Sequence, residues 1–245
     1  MRLRPVRPAG WWFDALLLVG LVGLTVALAT DHLFGLDRAV DDWSTGHRPA
    51  AVYWTARVLN FLGQGSPLTL IAAGLSVWLA VRLRSVRPIL PLVVGFVLTY
   101  LTIGPFKVWT ARAAPSASVK EPFLTPEQTL PMFHDDLPVR FAQSYPSGHV
   151  ANAIVWYGII ALLLAPLARS YGRHLPARLV TVIRVVPPLV VLTTTTYLGF
   201  HWLTDSVAGL LLGLILDRLL HRVPWDGVPL PGRLRAWDRP FISYP

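Results

Sequence analysis

The sequence predicts an all-α fold, a polytopic membrane protein whose six transmembrane helices form one bundle. Of its 245 residues, 53% are hydrophobic and 14% are charged, whereas about 25% of a soluble domain is charged. The apolar residues form long blocks flanked by arginines, as in membrane proteins. The net charge of +9 therefore does not indicate a nucleic-acid partner, because no basic surface is interleaved with aromatic residues. The lack of cysteine excludes disulfides and cysteine-ligated metals.

Six apolar blocks approach the roughly 20 residues that a spanning helix needs. The blocks are Phe13 to Ala29, Leu68 to Val81, Ile89 to Ile103, Val150 to Ala168, Leu179 to Tyr197 and Trp202 to Leu220. The second and third are short unless flanking residues join them. The first ends in Ala27-Leu28-Ala29, which resembles a signal-peptide cleavage site, although we favour an uncleaved first helix.

The distribution of arginine predicts the orientation of the bundle. With the N-terminus in the cytoplasm, the inner segments carry 14 of the 22 basic residues and the outer segments carry seven. Every short inner loop is then basic, as the positive-inside rule requires. Abundant arginine and alanine are typical of a GC-rich bacterial source. We therefore expect a multi-pass protein of the plasma (inner) membrane of a bacterium, with both termini cytoplasmic.

The segments between and after the blocks suggest three further features. Residues 50–61 are expected to form an interfacial helix in the first outer loop. Residues 105–147 contain seven prolines and are expected to fold over the outer face as a lid. The six-helix domain is predicted to span residues 1–222, and residues 223–245 form a basic cytoplasmic tail with proline and tryptophan that lies on anionic headgroups.

Two candidate functional groups lie at block ends. Lys107 follows Pro105 near the end of the third block, where a lysine can also simply snorkel to headgroups. Ser147 and Gly148 form a capping turn before the fourth block, with Ser147 as the expected N-cap. Free backbone N–H groups and the positive helix end make such a turn an anion site. His149 stands in its first turn.

His201 and Asp205 form a third candidate group at the start of the sixth block. Their i, i+4 spacing places them on one helix face, so Asp205 is expected to accept a hydrogen bond from His201. That bond would fix the tautomer and leave the other ring nitrogen as a nucleophile. An ionisable residue within a spanning block is costly and usually functional, although a histidine paired only for burial is the alternative.

Topology predicts that these groups meet at one face of the membrane. Lys107 ends a helix that runs from inside to outside, and His149 begins one that runs back. His201 and Asp205 begin another helix of that second direction. The sequence therefore predicts an extracytoplasmic site suited to phosphate chemistry.

These residues resemble the motifs of the type-2 phosphatidic acid phosphatase superfamily, which are Lys-x6-Arg-Pro, Pro-Ser-Gly-His and Ser-Arg-x5-His-x3-Asp. The resemblance spans residues 107–205, about two-fifths of the chain. It implies a six-helix lipid phosphatase that needs no metal or other cofactor. The most specific element is Pro-Ser-Gly-His followed about 50 residues later by His-x3-Asp.

The resemblance also implies a role for each matching residue. His201 would attack phosphorus and form a phosphohistidine, which Asp205 would stabilise, and His149 would protonate the leaving alcohol. The phosphoryl oxygens would be held by Lys107, Ser147 and Gly148.

Both arginines of the family motifs are replaced. The first falls on Ala114 and the second on Thr195, while the serine of the third motif falls on Thr194. A preorganised donor of this kind is worth roughly 2.7–4 kcal/mol in the transition state. Arg112 and Arg140 are the candidate replacements, and Thr195 could donate a neutral hydrogen bond.

Three functions are compatible with these residues. The first is hydrolysis of a lipid phosphate: a polyprenyl phosphate or diphosphate, a phospholipid phosphate or a lipid-linked sugar phosphate. The second is transfer of a phosphoryl or lipid-linked group to a hydroxyl acceptor. The third is a catalytically weak protein that binds or transports lipid phosphates. The expected partners are the lipid substrate and membrane lipids, and the sequence leaves the oligomeric state open.

Overall fold

The computed structural model describes residues 8, 10–120, 124–125, 127–133, 138 and 141–242. Within these residues the regular structure is entirely helical. The helices are α1 Trp11–Ala29, α2 Phe34–Gly46, α3 Ala50–Leu59, α4 Gly65–Leu83, α5 Ile89–Thr110, α6 Ala117–Lys120, α7 Gly148–Arg169, α8 Ala177–Tyr197 and α9 Leu203–Arg222. Short 3-10 turns cover Asn60–Gly63, Glu127–Thr129, Trp225–Gly227 and Gly232–Trp237. The all-α prediction is confirmed.

Among the described residues, five helices are long and apolar enough to cross a membrane, namely α1, α4, α5, α7 and α8. Flanking residues lengthen the two short blocks, so that α4 has 19 residues and α5 has 22. Helix α9 has 20 residues but carries Asp205, Asp217 and Arg218 within its apolar stretch. The chain is thus a multi-pass membrane protein, while six spans and their orientation remain predictions.

Helix α7 is the centre of the bundle. Its most apolar 18-residue window is 72% buried, against 17–33% in the other four candidate spans. Helix α9 approaches it closely at two glycines. A Cβ at Gly209 would lie 2.5 Å from the Ser147 carbonyl oxygen, and one at Gly213 would lie 3.0 Å from Ala151 Cα. Small residues of this kind let helix backbones approach in membranes, and here they set α9 against the start of α7.

An ion pair joins two helices of the bundle. Arg184, within α8, contacts Asp217 of α9 at 2.6 Å, which offsets the cost of an intramembrane charge. Gly158 of α7 leaves the room that the Asp217 carboxylate occupies, because a Cβ there would overlap it. The pairing ties α8 and α9 together far from the predicted site.

The segments outside the spans pack on the bundle. A helix forms where one was expected in the first outer loop, as α3, and α2 precedes it without having been predicted. At the other end, Arg87 pairs with Asp238 at 2.6 Å and donates to the Trp225 carbonyl at 2.6 Å, and Phe241 is fully buried. The C-terminal segment therefore lies against the bundle, and its contact with headgroups stays a prediction.

Candidate active site

The two histidines predicted from the motifs lie side by side. His149 is in the first turn of α7, and His201 lies in the connection between α8 and α9. Their ring centroids are 5.6 Å apart, with an interplanar angle of 68°. The Ser147 backbone N–H donates to the Asp205 carbonyl at 2.9 Å. That bond fixes the start of α7 against the start of α9 and so sets the spacing of the rings.

Lys107 and the start of α7 form a positive patch beside the histidines. Ser147 is the N-cap, and its hydroxyl accepts from the Val150 N–H at 3.4 Å. Lys107, in the last turn of α5, donates to the Gln143 carbonyl. A Cβ at Gly148 would lie 3.4 Å from Lys107 Cε and 3.8 Å from Nζ, so the glycine lets the lysine lie against the helix end. An ammonium beside the free N–H groups of a helix start is suited to binding an anion.

His201 is held by the backbone rather than by a helix face. Its Nδ1 lies 2.8 Å from the Ser144 carbonyl oxygen and 3.2 Å from Ser144 Oγ. A carbonyl oxygen can only accept, so Nδ1 carries the proton and Nε2 keeps its lone pair. The ring is 5% exposed, which leaves a neutral nucleophile at the edge of the site.

The expected direct bond from His201 to Asp205 is wrong. Nδ1 and Asp205 Oδ2 are 3.9 Å apart, because α9 begins at Leu203 and His201 precedes it. The i, i+4 geometry of a helix therefore does not apply to the pair. Ser144 bridges them instead, since its hydroxyl donates to Asp205 Oδ2 at 2.5 Å. The same oxygen accepts from the Trp202 N–H at 2.9 Å, so Asp205 caps its own helix.

Burial keeps the nucleophile uncharged. It lowers the pKa of His201 well below the ordinary value of 6.5, and the positive charge of Lys107 lowers that pKa further. A depressed pKa means that the ring remains neutral until the pH falls well below 6.5. At neutral pH the lone pair of Nε2 is therefore available for attack.

Arg112 lies behind Asp205 and is fully buried. It donates to Asp205 Oδ1 at 2.7 Å and to Asp37 Oδ2 at 2.7 Å. It also donates to the Leu130 carbonyl at 2.8 Å and to Thr204 Oγ1 at 2.8 Å. The geometry therefore supports a positioning role and not the direct phosphate contact expected of a replacement clamp.

Asp37, from α2, completes this buried network. Its Oδ1 accepts from the Thr204 backbone N–H at 3.0 Å, and its Oδ2 accepts from the Thr204 hydroxyl at 2.6 Å. Asp37 thus caps the N-terminus of α9 from outside the helix. Two carboxylates share one guanidinium, and helix α2 is thereby joined to the residue that orients the nucleophile.

The positions of the replaced family arginines differ in their surroundings. Ala114 is half-buried in the loop after α5. Thr195 is fully buried in α8, and its hydroxyl makes no hydrogen bond with the described residues. It presents no surface to a ligand here, in contrast to the expectation of a neutral donor. Arg140, the other candidate replacement, lies outside the residues that the structure describes.

Sequence reasoning missed Asp37 and the bridging role of Ser144. Ser144 stands two residues before the Pro-Ser-Gly-His motif, and none of the three family motifs includes it. Asp37 is one of several acidic residues in an outer loop, and nothing in the local pattern distinguishes it from Asp41 or Asp42. An unusually buried arginine at position 112 would have been the clue, and burial is not visible in the sequence.

Comparisons with known proteins identify the family of the chain. Residues 88–228, more than half of the chain, match the PAP2 superfamily. Over 73 residues the chain is 37% identical to phosphatidylglycerophosphatase B of Bacillus subtilis (strain 168), and the match covers 30% of this chain. The matched segment spans about a third, 35%, of that relative.

A solved structure has the same fold. The crystal structure of a transmembrane PAP2 type phosphatidylglycerolphosphate phosphatase from Bacillus subtilis superposes with a TM-score of 0.66. The superposition covers 84% of this chain and 93% of the other, at 24% sequence identity. The shared fold, together with a profile match that contains Lys107, the histidine pair and Asp205, shows that the chain belongs to the PAP2 superfamily.

Proposed function

We propose that this protein is a membrane phosphatase that hydrolyses a lipid phosphate through a phosphohistidine intermediate, without a metal. The observation that supports it most is the pair of histidines 5.6 Å apart beside Lys107 and the start of α7. One histidine has its Nδ1 proton bound to a backbone carbonyl and its other nitrogen free. The second is placed to exchange a proton with a bound ester.

In the first step, Nε2 of His201 attacks phosphorus. The bond between phosphorus and the lipid oxygen breaks, and His149 donates a proton to that oxygen, so the lipid leaves as an alcohol. Ser144 and Asp205 stabilise the positive charge that develops on the attacking ring, the serine by accepting from Nδ1–H and the carboxylate through the serine. Lys107 and the N–H groups at the start of α7 stabilise the equatorial phosphoryl oxygens.

In the second step, water attacks the phosphohistidine. His149, now neutral, takes a proton from the water as the bond between phosphorus and Nε2 breaks. Inorganic phosphate leaves, and both histidines return to their starting states. Because the nucleophile and the acid are side chains of the protein, the cycle requires no metal.

The substrate is proposed by class. Relatives named as phosphatidylglycerophosphatases favour a phospholipid phosphate, and polyprenyl and lipid-linked sugar phosphates remain candidates. The site faces the outer leaflet in the orientation predicted from arginine placement. The substrate and the surrounding lipids are the partners we expect.

Purified protein in detergent, offered a panel of these lipid phosphates, tests the proposal by phosphate release. We expect release from at least one lipid in the presence of a chelator, its abolition in His201→Gln and its near abolition in His149→Gln. His47→Gln is the matched control, because His47 is an exposed outer histidine outside the site. Labelled phosphate should remain on the wild-type protein after an alkaline quench. Full activity in His201→Gln would exclude the phosphohistidine.

A transferase is the second candidate, because neither position of the family arginines carries a cation. With fewer cations around it, the phosphohistidine could be resolved by a lipid or sugar hydroxyl. Lipid consumption without phosphate release, together with a phosphorylated acceptor, would identify this reaction.

A further inference from the structure

Apart from the histidine that protonates the leaving group, the described site sets one available cation, Lys107, against the phosphoryl group that the proposed reaction handles. Lys107 stands beside the histidines, while Arg112 is buried and already bonded to two carboxylates. Phosphoryl transfer depends almost entirely on positioning and on cationic stabilisation. A further cation within reach of the histidine pair would supply what the buried arginine does not.

The arginines between α1 and α4 differ in the partners that they already have. Arg48 donates to the Tyr197 carbonyl at 2.9 Å, and Arg38 lies 3.6 Å from Glu127. Arg57, on α3, is exposed and makes no hydrogen bond or ion pair with the described residues. Its guanidinium is therefore free to take an anionic partner.

Arg57 and His149 lie beside the same aromatic ring, that of Phe200. Its Cζ lies 5.6 Å from the centroid of the Phe200 ring. That ring lies 6.4 Å from the ring of His149, and Phe200 immediately precedes the nucleophile in the chain. A cation–π contact at an exposed site is worth only about 0.5–1 kcal/mol, so it holds the guanidinium loosely.

A loosely held guanidinium can move to a bound phosphate. Exposed side chains change rotamer within picoseconds to nanoseconds, and a guanidinium binds two phosphate oxygens at once. Helix α3 is itself fixed, because α3 and the turn Asn60–Gly63 pack against α8. A buried bond of 3.4 Å from Thr194 Oγ1 to Asn60 Oδ1 adds to that contact. The reach of Arg57 is thus set by its side chain and not by movement of the helix.

We propose that Arg57 is a substrate-contacting residue that leaves the Phe200 ring to bind the phosphoryl oxygens of the lipid substrate. This inference rests on the proposed phosphatase activity. It assigns to the first outer loop a cationic contact that motif positions 114 and 195 lack in this chain. A guanidinium from α3 reaches the phosphate from the side of the site formed by Phe200 and His149.

The test compares phosphate release by wild-type, Arg57→Gln, Arg57→Lys and Arg38→Gln proteins on the best substrate from the panel. A preorganised donor contributes about 10²–10³ in rate, and a mobile exposed one should contribute less. We expect kcat/KM to fall about 10-fold to 100-fold in Arg57→Gln and less in Arg57→Lys, which keeps the charge but not the fork. Arg38→Gln should match wild-type, because Arg38 is exposed and already paired with Glu127, so the variant removes one positive charge of the same loop without removing an available cation.

Inhibition by orthovanadate, a phosphate analogue, gives an independent readout. The concentration for half-inhibition should rise in Arg57→Gln by a similar factor and stay unchanged in Arg38→Gln. Wild-type rates and vanadate sensitivity in Arg57→Gln would overturn the inference while leaving the phosphatase intact. Absence of activity in the wild-type protein would instead overturn the proposed function, and vanadate binding would then still report on Arg57.

Discussion

Replacing Asp37 with asparagine tests the buried network behind the histidine pair. Asp37 Oδ2 accepts from Arg112 at 2.7 Å and from the Thr204 hydroxyl at 2.6 Å, while Oδ1 accepts from the Thr204 N–H at 3.0 Å. Asparagine has the same shape but presents one oxygen and one NH2 group. In either orientation at least one of these buried donors therefore meets another donor.

The least costly orientation turns the amide nitrogen toward the Thr204 N–H. Helix α9 then loses a cap worth about 1 kcal/mol. The hydrogen bond from Arg112 also loses its ionised acceptor. Charge-assisted hydrogen bonds contribute about 1.5–3 kcal/mol and are roughly twice as strong as neutral ones, so about 1 kcal/mol more of stability is lost. The expected destabilisation is about 2 kcal/mol. At about 2–4 °C per kcal/mol for a chain of this size, the Tm should fall by about 4–8 °C.

Thermal unfolding of the purified protein in detergent measures this change. Asp42→Asn is the matched control, because Asp42 lies on the same helix, is exposed and makes no hydrogen bond or ion pair with the described residues. Its effect should stay within about 0.5 kcal/mol. If Asp37→Asn and Asp42→Asn unfold at the same temperature, the network does not hold α2 to α9, and the reasoning is refuted.

Three further predictions follow from the site and the bundle. Ser144→Ala removes the hydroxyl between nucleophile and carboxylate and should lower kcat about 10-fold to 100-fold, the loss typical when a hydrogen bond that orients a metal-bound histidine is removed. KM should stay nearly unchanged, and an unaltered kcat would remove the bridge from the mechanism. Burial and a nearby cation lower the pKa of His201, so its neutral form is lost only as the pH falls well below 6.5. We therefore expect kcat/KM to be undiminished at pH 6.5. A loss of kcat/KM on the acid side that is centred at or above pH 6.5 would contradict the assignment of His201 as the nucleophile. Gly158→Ala should lower the Tm, since its Cβ would overlap the Asp217 carboxylate, whereas Gly74→Ala, where a Cβ meets nothing within 4 Å, should not.

The sequence was sufficient for the long apolar helices and for the ends at which the motif residues stand. Apolar length predicted the five candidate spans, and alternating helix direction predicted that Lys107, His149 and His201 would gather at one end. Both arguments use only distances along one helix, which the rise per residue fixes. Neither argument depends on contacts between side chains of different helices.

The parts that sequence reasoning missed depend on contacts between distant segments. Asp37 lies 75 residues from Arg112 and 167 residues from Thr204, and no periodic pattern relates them. The error over His201 and Asp205 arose at a helix boundary: the apolar block began at Trp202, yet helical spacing was applied one residue before it. Backbone boundaries vary by one or two residues, and here that margin decided whether the two side chains could bond directly.

The segment between α1 and α4 supplies residues to two parts of the site. Helix α2 supplies Asp37, which binds Arg112 from behind and leaves the latter unable to face a phosphate. Helix α3 supplies Arg57, which we propose faces the phosphate from the front. Because Arg112 is bonded within the buried network, it is not available to bind substrate. We propose that a cation from another segment takes that role. The two helices are separated by only three residues, 47–49, but α3 is held by its own packing against α8, so loss of the Asp37 bonds should leave Arg57 in place. Asp37→Asn should therefore lower stability and leave vanadate inhibition of the folded protein unchanged, and weaker inhibition in this variant would contradict the independent anchoring of α3.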